Sequence, residues 1–484
     1  MEYMNKSIVE IHEALKNKEV TSEELIKESL EKSHKLQDEC NAFVTILDDA
    51  KGSNVTDNLL SGIPCGIKDN YSTKGVLSTG SSNTLKDYVP FFSATAYENL
   101  EKAGAVMVNK TVMDEFGMGG TGTTGHTGIV KNPWDKTRMC AGSSSGSAAA
   151  VCYGVYPYAT GTDTGDSIRK PAAYCGIVGY KPTYGMISRF GVFPFASSMD
   201  HLGVLTRCVS DAAIVVDAMK GKDNKDMTSW DSSDIHLFEN LSKEIKGKKL
   251  CYIKEICDIN NFPDASEELK DHLKNFKKTL DICENLGFIV EEVSVDQNML
   301  NASNSVYNVI SSAEATSNMS NLTGIIFGPR SEGKTYTEMM KEYRTKNFSS
   351  LIKRRFVIGS YVLQADNKDR YFHNAQRLRR LLVDKWKELF SKYDAIILPV
   401  GIGPAKKFDD NKELDVTTRV LDEHLNIGNF GGFPSITIPN GFVSGLPVGV
   451  NLTGNCYDDQ NLLNIAFALE DAMDYKNQTV KEVK

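Results

Sequence analysis

Helix-like and strand-like segments alternate along this chain of 484 residues, and the alternation points to an α/β fold. Three regions carry that reading. An amphipathic helix at 95–103 passes through Gly104 into an apolar strand at 105–108. A long helix at 265–286 is flanked by strands at 250–254 and 288–293. Towards the C-terminus, short apolar runs at 395–399, 435–439 and 447–452, with Pro and Gly at or beside their ends, read as buried strands. Length alone allows two or three domains of about 150 residues, or one large α/β domain.

Residues 7–35 read as two amphipathic helices; Thr21, with Glu24 three positions on, is a capping box that opens the second. A polar stretch at 51–61 leads to a short buried strand at 62–68 that ends on Lys68. Between about 110 and 200, Gly, Ser, Thr and Ala dominate and charges thin out. The glycines there are interleaved with apolar runs at 148–151 and 177–180, so a packed core with closely approaching backbones is expected rather than a linker. A helix is expected at 210–219 and a polar surface connection at 221–249. The part from 250 to about 328 is more charged and lacks dense Gly/Ser motifs. Residues 341–390 read as mostly helical, the strands at 435–439 and 447–452 as joined by a Gly-containing turn, and 458–474 as the closing helix.

The composition is that of an ordinary soluble globular protein, with 41% hydrophobic and 24% charged residues. The net charge of −8 gives no cationic excess to hold nucleic acid, so any service to RNA leaves most phosphate contacts to a partner. No window approaches the ~18 consecutive apolar residues of a membrane span. The N-terminus carries Glu2, Glu10 and Glu13 and has no apolar core, so neither a signal nor a transit peptide is expected. The ten cysteines include no Cys-x-x-Cys pair; Cys65, Cys140, Cys152 and Cys175 lie in small or apolar surroundings and read as buried thiols of a reducing cytoplasm rather than zinc ligands.

Several common catalytic signatures are missing: there is no G-x-S-x-G elbow, Walker loop, H-E-x-x-H or dinucleotide fingerprint. The eight histidines are dispersed; only His126 and His201 lie near the serine-rich region, and no spacing supports a Ser-His-Asp triad. What is present is serine and one lysine. The run Ala-Gly-Ser-Ser-Ser-Gly-Ser at 141–147 leads into an Ala-rich helix, and a second Gly-, Asp- and Ser-bearing stretch follows at 161–171. A nucleophilic serine needs a base, and a lysine whose basicity is cut by desolvation can serve. Gly-rich turns let several backbone N–H groups converge on one spot, as an oxyanion requires. Each piece alone has a plainer reading, a turn or a solvated strand end.

Together they resemble the amidase signature family, which is marked by a Ser–cis-Ser–Lys triad. Its G-G-S-S-G-G-S-A-A-A stretch corresponds to 141–150, its G-[ST]-D-T-G-G-S-I-R-x-P-A stretch to 161–172, and its G-I-P-x-x-I-K-D-N stretch to 62–70. Ser143 and Ser167 stand 24 positions apart, the family's usual interval. The resemblance implies Ser167 as nucleophile, Ser143 at a cis peptide as proton relay, Lys68 as ultimate base, and the amides of Thr164, Gly165, Asp166 and Ser167 as oxyanion hole. It also implies one large domain over 1–484 with a mixed, twisted sheet between helices: N-terminal helices at 1–60, a signature core at about 61–220, a more charged substrate-side half at about 250–455, and a C-terminal helix at 458–475.

Within the family, stretches at 113–119, 131–135, 313–318 and 353–355 are similar to those of the glutamine-hydrolysing subunits of tRNA-dependent amidotransferases. That likeness implies a cytoplasmic glutaminase. It would supply ammonia to a B-type partner that amidates Glu-tRNA(Gln) or Asp-tRNA(Asn), with a small C-type subunit completing a heterotrimer. ATP and Mg²⁺ would be used by the partner, with no cofactor in this chain and no membrane. It places glutamine recognition on Tyr307, Arg355 and Asp422, with Arg355 forking onto the α-carboxylate and Asp422 pairing with the α-ammonium. The chain departs from the pattern at three points. Asp166 stands where the family has glycine, Lys170 where it usually has Gln, and Thr123 where the glutaminase subunits have a glutamate. The alternatives are a stand-alone amidase for another small amide, or a scaffold subunit impaired by Asp166.

Overall fold

A computed structural model describes residues 2–410 and 413–480. Their strands form one eleven-stranded sheet. The strands are β1 (Phe43–Ile46), β2 (Pro64–Lys68), β3 (Val106–Thr111), β4 (Tyr158–Asp163), β5 (Val178–Lys181), β6 (His201–Thr206), β7 (Lys249–Ile253), β8 (Ile289–Val293), β9 (Ala395–Pro399), β10 (Ser435–Val443) and β11 (Leu446–Thr453). Their order across the sheet is β1-β3-β2-β4-β6-β5-β10-β11-β9-β7-β8. The sheet is mixed: β2 runs parallel to β3 and β4, and β7 to β8 and β9, while the other pairs are antiparallel. Because β5 pairs with β10, the serine-rich part of the chain and its more charged part share one sheet.

Both faces of the sheet are covered, and the period-2 alternation of β9 shows it. Ala395 and Ile397 pack into one core with Leu462, Ile465 and Leu469 of the helix Asp459–Met473. Ile396 and Leu398 pack into a second core with Val306 and Ile310 of the helix Gln297–Asn318 and Trp386 of the helix Asn374–Phe390. A third core surrounds the helix Ser145–Cys152, whose eight residues are all buried. This is the close backbone packing expected of the Gly/Ser/Ala region. A side chain at Gly146 would collide with the Ala42 carbonyl and the Val112 backbone.

Local chemistry sets the element ends. The helix Ser22–Cys40 is opened by the Thr21–Glu24 capping box, and the helix Ile8–Lys16 by a second box between Ser7 and Glu10. The hairpin β10–β11 turns through Ser444 and Gly445, both of positive φ, which suits a two-residue connection between twisted strands. Residues 221–248 hold neither helix nor strand, as their polarity predicts. The four cysteines read as buried thiols are all buried and unpaired. No helix among the described residues is long and apolar enough to cross a membrane.

Candidate functional site

Lys68 closes β2, but its side chain is not a solvated strand end: it is fully buried. Its Nζ donates to Ser143 Oγ at 2.8 Å, Ser144 Oγ at 2.9 Å, Thr162 Oγ1 at 2.7 Å and the Thr162 carbonyl at 3.2 Å. Burial lowers its pKa to about 7; the carboxylates of Asp163, Asp114 and Asp200 act in the opposite sense. Ser143 follows a cis peptide bond after Gly142, the placement implied by the family resemblance.

Ser167 lies between β4 and the helix Arg169–Cys175 and is almost completely buried. Its carbonyl accepts from the Ser144 amide at 3.2 Å, which ties the two serine-bearing segments together. Among the described residues, the amides of Gly165, Asp166 and Ser167 have no protein acceptor. Three consecutive unspent N–H groups beside a serine can receive an oxyanion. The segment is held by a buried ion pair. Asp163 accepts from Arg169 Nε at 3.0 Å, Arg169 Nη2 at 2.9 Å and the Ile168 amide at 2.9 Å, and Arg169 Nη2 also reaches the Gly165 carbonyl at 2.8 Å. Thr164 Oγ1 donates to Asp200 at 2.7 Å.

A cleft of about 610 Å³ opens on this segment, lined by Gly165, Asp166, Lys170, Tyr307, Arg355 and Asp422 among others. Residues far apart in sequence thus converge on one space. The Tyr307 ring lies so close to Gly165 that a Cβ there would come within 2.9 Å of it, so only glycine admits the contact. Arg355 turns inward from the helix Ser350–Val362. Its Nε donates to the Met118 carbonyl at 3.2 Å, its Nη1 to Ser311 at 3.3 Å, and the guanidinium stands 5.0 Å from the Phe195 ring centre. Nη2 has no acceptor among the described residues. Asp422 is gripped by two ammonium groups, Lys170 at 2.9 Å from Oδ1 and Lys406 at 2.8 Å from Oδ2. These lysines lower its pKa to about 2.

Asp166 does not adopt the positive φ that would favour the family's glycine. Its carboxylate faces the cleft, 23% exposed, with Lys170 Nζ at 3.9 Å. Sequence reasoning assigned no part to Asp114, whose carboxylate accepts from the amides of Thr121, Gly122, Thr123 and Thr124 and so shapes the loop beside Ser143. The Asp114 amide in turn donates to the Ser143 carbonyl at 3.2 Å. The roles of Ser144 and Thr162 as further partners of Lys68 were also missed, though both lie within the stretches that drew attention. His201 reaches the Met199 carbonyl and Asn429 but neither serine. Among the described residues no cluster of three or more His, Cys, Asp or Glu side chains could hold a metal ion.

A family model described as amidase matches residues 24–463. The chain belongs to the amidase signature family. The A-type subunit of glutamyl-tRNA(Gln) amidotransferase from Streptococcus pneumoniae serotype 19F (strain G54) is 39% identical to it over 99% of this chain and 98% of that one. Its counterpart in Streptococcus thermophilus is 38% identical over the same shares. The crystal structure of the A-type subunit of glutamyl-tRNA(Gln) amidotransferase from Thermotoga maritima superposes with a TM-score of 0.82 at 34% identity, covering 99% of this chain and 98% of that one. A peptide amidase from Stenotrophomonas maltophilia, at 22% identity and a TM-score of 0.80, shares the fold. The stretches that carry the resemblance, 62–70, 141–150 and 161–172, all lie within the matched residues.

Proposed function

We propose that this amidase signature protein is the glutaminase subunit of a tRNA-dependent amidotransferase. The observation that carries the reading is the buried Lys68–Ser143 hydrogen bond at the Gly142–Ser143 cis peptide, in a chain 39% identical to an A-type subunit of glutamyl-tRNA(Gln) amidotransferase. In this reading neutral Lys68 takes a proton from Ser143, which takes the proton of Ser167. Ser167 Oγ attacks the side-chain carbonyl of glutamine, and the amides of Thr164 to Ser167 receive the oxyanion. The proton returns by the same relay to the leaving nitrogen, ammonia departs, and a glutamyl ester remains. Water, deprotonated through the relay, releases glutamate and restores Ser167.

Arg355 and Tyr307 face the substrate's α-carboxylate end, and Asp422 belongs to the same wall through its two lysines. Ammonia then passes to a B-type partner that uses ATP and Mg²⁺ to amidate Glu-tRNA(Gln) or Asp-tRNA(Asn), in a cytoplasmic heterotrimer completed by a small C-type partner. The acidic balance of this chain fits a division of labour in which the tRNA is held mainly by the partner.

The test is co-purification from the native cell, followed by an ammonia-release assay on glutamine with wild type and Ser167→Ala. Two accompanying chains and glutamine-dependent ammonia lost in the variant are expected. A lone chain that hydrolyses neutral amides but not glutamine would establish the stand-alone amidase instead.

A further inference from the structure

Four carboxylates line the cleft, Asp166, Asp410, Asp422 and Glu423. Asp166, next to Ser167, and Asp422 differ in what already surrounds them. Asp422 has an ammonium beside each oxygen: Lys406 donates to Oδ2 at 2.8 Å, and Lys170 stands 2.9 Å from Oδ1 but donates its hydrogen bond to the Asp422 backbone carbonyl at 3.0 Å. A third ammonium arriving there would meet two like charges. Asp166 has one cation, at 3.9 Å, and its carboxylate accepts no hydrogen bond from the described residues. It directly precedes Ser167, and across the same cleft Arg355 keeps Nη2 without an acceptor among those residues.

We propose that Asp166, rather than Asp422, receives the α-ammonium of the substrate, with Lys170 as a positioning residue that occupies Asp422. This rests on the glutaminase reading. Glutamine with its side-chain amide at Ser167 spans the cleft with its carboxylate towards Arg355 and its ammonium towards Asp166. The two departures from the family pattern then form one unit. Lys170 removes Asp422 from service by pairing with it, and Asp166, four residues earlier on the same segment, restores an anion to the cleft. Burial raises the Asp166 pKa to about 7, as expected for a carboxylate lacking a close partner, and a bound ammonium supplies that partner.

The experiment compares kcat/KM for glutamine and for glutaramic acid, which keeps the side-chain amide and the carboxylate but lacks the ammonium, using the assembled complex. Wild type should prefer glutamine by roughly 10- to 150-fold, the range of a charge-assisted contact. Asp166→Asn and Asp166→Gly should both bring the two substrates close to parity, while Asp422→Asn keeps the preference. Adding Lys170→Gln to Asp166→Asn frees Asp422 of one lysine and should restore much of the preference, which a merely structural role for Lys170 would not do. A preference that survives in both Asp166 variants, or that disappears with Asp422→Asn alone, overturns the assignment. Failure of the double variant to recover overturns the part given to Lys170. A wild type inert towards glutamine overturns the glutaminase reading itself, a result distinct from the others.

Discussion

Lys68 Nζ lies 2.8 Å from Ser143 Oγ with both side chains sealed from solvent. A lysine buried this way without a carboxylate in direct contact loses its charge readily, and its pKa falls to about 7. That one pair governs both a rate and a stability.

The first prediction concerns rate. If neutral Lys68 is the base, kcat/KM for amide hydrolysis should rise with pH and level off above about 7, where the amine has lost its proton. Lys68→Arg keeps a cation that does not deprotonate in this range, and should lower turnover by at least ~10²–10⁴ while removing that rise. Near wild-type turnover in this variant, measured across pH, would assign the base elsewhere.

The second concerns stability. The folded-state pKa of Lys68 lies below its unfolded value of 10.5, so between the two the unfolded chain binds the extra proton. Keeping Lys68 neutral therefore costs stability increasingly as pH falls from about 10.5 to about 7, and the full cost persists below. Lys68→Met removes the term. Its advantage over wild type in chemical denaturation should grow as pH is lowered from 10 to 7. A difference that does not change with pH would mean that Lys68 stays charged.

Ser167 should carry the acyl group. Trapping the complex with glutamine and mapping the adduct by mass spectrometry should place the added mass on Ser167 and show none in Ser167→Ala. An adduct on Ser143, Ser144 or Ser145 would reverse the assignment of nucleophile and relay.

Particular residues show why part of this molecule was legible in its sequence and part was not. β9 and β11 are near-continuous apolar runs because both faces of the sheet are covered there, and such runs stand out. β4, Tyr-Ala-Thr-Gly-Thr-Asp, and β6, His-Leu-Gly-Val-Leu-Thr, are just as buried, yet Gly, Asp and His mask the strand signal; their pairing with each other decides the conformation. The helix Gln297–Asn318 is rich in Asn and Ser, poor helix formers, and is held by packing against the helices Ser350–Val362 and Asn374–Phe390. In the site, Lys68, Ser143 and Ser167 were marked by local motifs. That Asp422 is occupied was not readable, because one of its lysines is 252 positions away.

The Asp163–Arg169 pair is fully buried and shapes the segment that carries Ser167. Removing one partner strands the other charge, so Arg169→Met should cost about 3–5 kcal/mol in chemical denaturation. Turnover should fall in the fraction that remains folded, because the Gly165 carbonyl loses its Arg169 donor. A variant as stable as wild type would mean that Asp163 finds another cation, with Lys181 the nearest candidate by its electrostatic influence.

Arg355 separates glutamine from simple amides. Its guanidinium lines the cleft, is anchored through Nε and Nη1, and leaves Nη2 without an acceptor among the described residues, which suits one end of a carboxylate. Losing a charge-assisted contact of about 1.5–3 kcal/mol corresponds to roughly 10- to 150-fold in kcat/KM. Arg355→Lys should show a loss of this kind with glutamine, since an ammonium cannot keep both anchors and still reach the substrate. A neutral aliphatic amide without a carboxylate should be hydrolysed at close to the wild-type rate. Because Arg355→Ala also gives up the contacts to Met118 and Ser311, the milder Lys variant is the decisive one. Equal losses on both substrates would make Arg355 a packing residue that holds the loop around Met118. No loss on glutamine would remove the carboxylate contact from the recognition scheme and favour a substrate without a zwitterionic end.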